Sequence, residues 1–366
     1  MKNVLFATTA LVAMAGSAMA ASHGNNIDLA WSGDFEIGYN DEVTGGSYAA
    51  ASLGLDVTVD FGDSVTGAVG IDFATTGTTW TYVEFNYDAG NALSASLRYG
   101  DLLGAGASER YYSPADGMAV GVETHDGGND VVAEVSFGSI SVAAGCQVAA
   151  NVCQGINVGA GATFGSIKLG LGYDSNELVA PLQRGVIAVS ADATFGKFNV
   201  GVSYASGSAA AAIPPVFGPP PVPGVPAKLA ETSLGLAVGG TFGAVEVGAY
   251  YAANSVAADA YGFTVDYSAG AMTVGAYYDA AAATSYGLDV AYDVSDSLTA
   301  NAGYFNGSAT VYTLGTPAAT VGGYYYVGVD YAVNSNITAT LSYATADAFG
   351  APEYAQGISA FITASF

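Results

Sequence analysis

The chain has 366 residues, with 32 Asp and Glu against 7 Lys and Arg, a formal net charge of −25 and a mean hydropathy of +0.37. So few basic residues exclude a nucleic-acid-binding surface, because Lys and Arg neutralise phosphates. An aromatic share of 12% excludes a disordered chain. Beyond the N-terminus no run of about 18 apolar residues occurs, which argues against helical membrane spans. An apolar chain without long apolar runs is typical of a transmembrane β-barrel, where outward apolar residues alternate with inward polar ones.

The N-terminal segment has the features of an export signal. Lys2 is followed by an apolar stretch at residues 4–15, and Ala18 and Ala20 supply the small residues of a signal-peptidase site. We therefore predict a signal peptide at residues 1–20 and an exported barrel at residues 21–366. A short membrane anchor is the alternative, although the apolar run is short for a span.

A hairpin of two alternating strands joined by a tight turn repeats along the rest of the chain. Around the turn Gly196-Lys197, for example, Ile187 and Phe195 share an apolar face while Asp192 lies on the polar face. The predicted elements, in order, are a strand at 27–39, hairpins at 53–73, 83–99, 131–144, 158–173, 187–204, 234–251, 261–278, 286–304 and 325–343, and a strand at 358–366. These elements predict an all-β fold, an antiparallel transmembrane β-barrel with twenty strands by direct count. An even number lets the first and last strands pair and leaves no open edge.

Aromatic residues at the strand ends form two sets. Phe164 and Phe195 precede short turns, whereas Tyr173 and Tyr204 fall near the far strand ends. Two belts separated by a strand length indicate two lipid interfaces. A soluble β-sandwich or β-solenoid is the alternative, but its aromatics would not be confined to strand ends.

The connections alternate between tight turns and longer loops, the usual asymmetry between the periplasmic and external ends of such barrels. Longer connections are predicted at residues 100–130, 145–155, 174–185, 205–231 and 305–323. The connection at 205–231 is rich in Pro, which cannot join a central ladder, so we predict a stiff external loop there. Cys146 and Cys153 flank a short segment in an exported chain, which favours a disulfide over two free thiols.

Three stretches resemble the general-diffusion porins of alphaproteobacteria, the Rhodobacter type. They are Ser32-Gly33-Asp34 with Gly38-Tyr39-Asn40, residues 100–104 followed by Ala107-Ser108-Glu109, and residues 126–130. Phe366, with apolar residues at alternate positions before it, resembles the outer-membrane assembly signal. The resemblance covers roughly residues 27–140 and the last ten. The family norm is 16 strands, so we expect an even number from 16 to 20.

The resemblance implies a homotrimer in the outer membrane of a Gram-negative cell, inserted by the barrel-assembly machinery. It also implies that residues 100–130 fold into the lumen as the pore constriction. The residues of that constriction would be Asp101, Glu109, Arg110, Asp116, Glu123, Asp126 and Asp130. The family places arginines on the facing wall, whereas this chain has Glu36 where one is usual.

Strand alternation predicts which charged residues line the lumen wall. This set comprises Asp34, Glu36, Asp56, Asp72, Glu84 and Arg98. Rings of charge in a wet pore select ions, and an excess of carboxylates concentrates cations. We therefore expect a water-filled channel for passive diffusion of small hydrophilic solutes and ions, with a preference for cations. A closed barrel with a structural or adhesive role is the alternative.

Neither catalysis nor a bound cofactor is expected from the sequence. His23 and His125 are the only histidines, and they lie too far from the cysteines for a zinc site. A hydrolase would need a histidine at a defined position on the rim, so we expect no enzyme. The acidic run at residues 126–130 is a candidate for Ca²⁺, but its spacing matches no known ligand loop.

Overall fold

The computed structural model describes residues 27–41, 47–62, 64–74, 77–90, 93–101, 107–108, 110–122, 129–149, 152–175, 185–209, 229–281, 284–313, 316–346 and 356–365. Within these ranges the chain forms twenty β-strands. In chain order they are β1 (Ile27–Asn40), β2 (Ser47–Gly62), β3 (Val65–Ala74), β4 (Gly77–Asp88), β5 (Leu93–Asp101), β6 (Asn129–Phe137), β7 (Ile140–Ala149), β8 (Val152–Phe164), β9 (Ile167–Asp174), β10 (Val186–Phe195), β11 (Phe198–Gly207), β12 (Glu231–Phe242), β13 (Val245–Asn254), β14 (Ala260–Ala269), β15 (Met272–Ala280), β16 (Thr284–Ser295), β17 (Leu298–Thr313), β18 (Thr316–Asn334), β19 (Ile337–Ala344) and β20 (Gly357–Ser365). The predicted signal peptide and Phe366 lie outside the described residues.

The sheet closes on itself. Each strand pairs antiparallel with the next, and β1 pairs with β20 from Asp34↔Ser365 to Asn40↔Ser359. The seam carries side-chain bonds at its rim, where Asn40 Nδ2 donates to Ser359 Oγ at 2.7 Å. This closure confirms the all-β antiparallel barrel and the direct count of twenty strands, four more than the norm of the resembled family.

One end of the barrel has tight turns because glycine supplies the backbone conformation that they need. Gly138, Gly165, Gly196, Gly243 and Gly270 each open a two-residue turn between paired strands, with φ between 59° and 67°. A glycine at the first central position is the mark of a type II′ turn, whose twist suits a hairpin. The predicted turns at Gly138 and Gly165 are confirmed.

At the other end the structure corrects several loop boundaries. β7 continues to Ala149 and β8 begins at Val152, whereas a longer connection was predicted at residues 145–155. Likewise, β17 continues to Thr313 and β18 begins at Thr316, whereas the predicted connection covered residues 305–323. The ladder persists in these segments because each added pair satisfies backbone groups that a loop would leave to water. The described parts of the Pro-rich connection are residues 208–209 and 229–230, since β11 ends at Gly207 and β12 begins at Glu231.

The two faces of the sheet differ in chemistry as the alternation predicts. The outer face carries exposed apolar side chains, such as Leu171, Val189 and Val202. Exposed rings mark both strand ends, with Phe164 and Phe195 beside the tight turns and Tyr173 and Tyr204 at the opposite end. The inner face carries small, polar and charged residues, and it packs against a loop inside the barrel.

Candidate functional site

The connection between β5 and β6 is here called the inserted loop. It comprises residues 102–128, of which 107–108 and 110–122 are described. Inward side chains on β8, β10, β11, β12 and β13 accept hydrogen bonds from its backbone amides. These bonds are Ala107 N to Asn157 Oδ1 (3.1 Å), Ser113 N to Ser190 Oγ (3.0 Å), Ala115 N to Ser203 Oγ (2.9 Å), Val120 N to Ser233 Oγ (3.1 Å) and Ala119 N to Asn254 Oδ1 (2.9 Å). The described part of the loop therefore follows the inner wall, as expected for a constriction loop folded into the lumen.

Small residues on the inner wall allow this close approach. A Cβ at Gly170 would overlap the carbonyl oxygen of Tyr111, and one at Gly159 would overlap that of Ala107. Since any larger side chain would push the loop backbone off the wall, glycine at these inward positions is part of the seat of the loop.

Apolar side chains of the loop complete the packing. Tyr112, Val120 and Val122 are buried against Val186 and Ala188 of β10. Burial raises the pKa of the Tyr112 phenol to about 12. The loop is therefore held by both a small apolar core and the row of side-chain acceptors.

An ion pair fixes the start of the described loop. Arg110 pairs with Glu134 on β6, and both side chains are about four-fifths buried, with 23% and 21% exposed. Arg110, predicted as the basic residue of the constriction, is thus bound to Glu134 on the wall, near the start of the described loop.

The other inward basic residues in the described strands also face carboxylates. Arg98 lies directly opposite Glu84, and its guanidinium lies 3.9 Å from the centre of the Tyr82 ring. The Tyr82 hydroxyl donates to Asp56 Oδ1 at 3.1 Å. Lys168 lies opposite Asp192. Each of these cations thus has a carboxylate in the next strand.

The carboxylates in the C-terminal strands of the barrel have no basic residue in their own part of the sequence. Residues 229–366 contain eleven Asp and Glu and no Lys, Arg or His. Glu246 on β13 lies directly opposite Asp266 on β14, and Asp289 on β16 lies in the same row, with Gly275 of β15 between. Like charges directly opposite in a sheet repel each other, so this row favours a positive counter-charge from the lumen.

A stack of aromatic rings, not predicted from the sequence, lines the same half of the barrel. Phe305 packs against Tyr277, Tyr324 and Tyr326, with ring centres 5.6 to 6.0 Å apart. All four lie on the inner face, in register with inward glycines such as Gly287 and Gly303. The doublet Tyr304-Phe305 and the triplet Tyr324-Tyr325-Tyr326 carry the missed signal, because consecutive strand residues point to opposite faces.

The structure separates the predicted constriction residues into two groups. Asp101 ends β5 and Asp130 is the second residue of β6, so both belong to the wall rather than to the loop, because the ladder continues through Gly100↔Asp130 and Asp101↔Asn129. Asp116 is exposed near the middle of the loop, beside Gly117, which lies against Tyr250 and Ala260. Glu109, Glu123 and Asp126 lie outside the described residues.

The predicted wall residues lie on strands β1 to β5. Alternation along β1 places Asp34 and Glu36 on the face opposite Trp31 and Tyr39, which are exposed on the outside. The ladder sets Asp72 of β3 opposite Gly54 of β2.

A disulfide joins Cys146 and Cys153, with the Cα atoms 5.6 Å apart. Both cysteines belong to strands, and Cys146 lies where the β7–β8 register shifts between Gly145 and Gln147. The bridge therefore spans the end of a paired hairpin rather than an open loop.

Among the residues that the structure describes, no group of three His, Cys, Asp or Glu side chains could hold a metal ion. No helix in the described part of the chain is long and apolar enough to cross a membrane.

Strand pairing and the inserted loop define the class: a closed, twenty-stranded antiparallel β-barrel with charged residues on its inner face. No protein-family model matches the chain, and no curated protein sequence matches it. Solved structures that are similar to it include engineered variants of the porin of Rhodopseudomonas blastica. Two of them are 12% and 13% identical, each with a TM-score of 0.42, over 93% of this chain and 100% of the other. A third is 15% identical, with a TM-score of 0.40 over the same shares.

Proposed function

We propose that the protein forms a water-filled channel in the outer membrane of a Gram-negative cell and passes small hydrophilic solutes and ions, with a preference for cations. Barrels of about 16 or more strands are wide enough to leave an aqueous lumen beside an inserted loop. The apolar outer face, with exposed rings at both strand ends, suits a lipid surface. We also propose that the signal at residues 1–20 directs export, that the barrel-assembly machinery inserts the protein, and that it forms a homotrimer.

One observation carries the preference for cations: Glu246 directly opposes Asp266, with Asp289 in the same row, within residues 229–366, a segment that has no basic residue. The inward basic residues Arg98 and Lys168 instead lie opposite carboxylates, and Arg110 is in an ion pair. A low-dielectric wall focuses the field of unbalanced carboxylates into the lumen. Potassium should therefore be concentrated there and chloride repelled.

The decisive experiment is the reversal potential of the reconstituted protein in a KCl gradient. We expect potassium to be more permeant than chloride, and the preference to shrink as salt rises, because the Debye length falls from about 10 Å at 0.1 M to about 3 Å at 1 M. The double variant Glu246→Gln/Asp266→Asn should lower the preference at 0.1 M. Asp296→Asn, an exposed carboxylate in the turn between β16 and β17, is the matched control and should leave it unchanged.

Two outcomes would count against the proposal. Selectivity for chloride at 0.1 M KCl would contradict the role of the carboxylate row. A folded barrel that inserts without conducting would instead favour the closed-barrel alternative with a structural or adhesive role.

A further inference from the structure

A cavity lies between the inserted loop and the C-terminal wall, where the charged and aromatic features of the lumen meet. Asp116 and Gly117 of the loop form one side, and Tyr250, Thr264, Tyr277 and Asp279 of β13 to β15 form the other. Register places Tyr250 opposite Gly262, Asp279 opposite Gly262 from the next strand, and Tyr277 opposite Thr264, so these four wall residues share the inner face.

Two carboxylates border this cavity from different elements. The Tyr250 hydroxyl donates to Asp279 Oδ1 at 2.6 Å. This bond orients the carboxylate and uses only one of its two oxygens. Asp116 enters from the loop and is exposed. The inserted loop reaches this point because Gly117 lies against Tyr250 and Ala260.

An aromatic side chain, Tyr277, also lines the cavity. Tyr277 is only partly buried and is the end member of the ring stack, with its centre 6.0 Å from that of Phe305. Phe305, Tyr324 and Tyr326 behind it are buried, so they hold Tyr277 in place rather than meet solutes themselves. A second aromatic ring packs favourably against such a ring in a stacked or edge-to-face arrangement.

We propose that this cavity, here called the Asp116–Asp279 pocket, is a binding site for organic cations that carry an aromatic group. The carboxylates would receive the ammonium charge, and Tyr277 would contact the aromatic group. An inorganic cation would use only the carboxylates, and a neutral aromatic solute only the ring. The proposal rests on the proposed function for access through the lumen, and it narrows the class of preferred solute.

The test measures binding without requiring conduction. Titration calorimetry on the folded barrel in detergent micelles would compare benzyltrimethylammonium with tetramethylammonium, which lacks the ring. We expect benzyltrimethylammonium to bind more tightly, and Asp279→Asn to weaken it by about tenfold, as expected for loss of one close charge–charge contact in a wet site. Tyr277→Leu should weaken it by roughly two- to thirteenfold, the range for an aromatic pair, whereas Tyr277→Phe should keep most of the affinity. Asp296→Asn is the control for a simple change of net charge.

Equal binding of the two probes, or binding unchanged in both Asp279→Asn and Tyr277→Leu, would overturn the site. Circular dichroism and the heat-induced gel shift would establish that each variant is folded. Conductance separates the two proposals. A cation-preferring channel that does not distinguish the probes would refute only the pocket. A non-conducting barrel that binds benzyltrimethylammonium through Asp279 would refute only the channel.

Discussion

Arg110 of the inserted loop forms an ion pair with Glu134 on β6, and the pair joins the loop to the inner wall close to where the loop begins. Asn157, Ser190, Ser203, Ser233 and Asn254 continue the attachment along the wall by accepting bonds from loop amides. The loop therefore behaves as an additional lining of the wall, and its position depends on identifiable polar contacts.

Breaking the ion pair should loosen the start of the loop. Hydrogen bonds to charged groups contribute about 1.5–3 kcal/mol, so we expect Glu134→Gln to raise the rate at which thermolysin cleaves the loop by about tenfold. In a double-mutant cycle, Arg110→Gln should add little once Glu134 is changed, because both variants remove the same contact. Strictly additive effects, or cleavage no faster than in Asp296→Asn, would contradict this role of the pair.

Gly170→Ala should displace the loop, because the new Cβ would overlap the Tyr111 carbonyl oxygen. Overpacking of this kind costs about 1–3 kcal/mol, and the loop can relieve it only by moving toward the lumen. Single-channel conductance should therefore fall. Gly121→Ala is the matched control within the loop, since its nearest contact, with the Tyr112 ring, is 3.9 Å away. Equal conductance in the two variants would show that the loop does not rest on Gly170.

Tyr112 should make the loop sensitive to alkaline pH. Burial raises its pKa to about 12 in the folded protein, against about 10 for a free phenol. The folded state thus keeps the proton longer than the unfolded state, so this stabilisation is complete below about pH 10 and is lost as pH rises through about 12.

This sensitivity can be read from the difference in absorbance at 295 nm between the wild type and Tyr112→Phe during titration. We expect the difference to appear near pH 12, and thermolysin cleavage of the loop to rise over the same range in the wild type but less in Tyr112→Phe. A difference centred near pH 10 would mean that the phenol is open to water.

The seam between β1 and β20 should depend on Asn40. Its side chain is 1% exposed and donates to the Gln356 carbonyl oxygen at 2.9 Å and to Ser359 Oγ at 2.7 Å. Unmet buried polar groups cost about 1–3 kcal/mol each, so Asn40→Ala should lower the free energy of unfolding in urea by about that amount.

Asn336→Ala is the control for the seam, because Asn336 bonds the Ser365 carbonyl oxygen at 2.8 Å at an exposed turn, where water can replace it. Equal destabilisation by the two variants would show that burial at the rim of the seam is unimportant.

Local patterns in the sequence were sufficient for the barrel itself. Alternation in segments such as 187–204 determines which face of a strand meets an apolar environment, and a tight turn at Gly196 determines the neighbouring strand. Twenty strands followed from counting these units, because hairpin pairing is a local property. The same patterns placed Asp34, Glu84 and Arg98 on the inner face of their strands.

Only the tertiary structure decided what meets inside the lumen. Arg110 and Glu134, or Asp116 and the wall at Tyr250, are brought together by closure of the barrel and by the path of one loop. The predicted end of β5 and the predicted start of β6 were wrong, because a polar residue such as Asp101 or Asp130 is compatible with both a loop and a strand. The ring stack at Phe305 was missed although its doublets are visible, because its members come from β15, β17 and β18. Alternation specifies a face for each side chain, whereas contacts across the lumen depend on the closure and register of all the strands together.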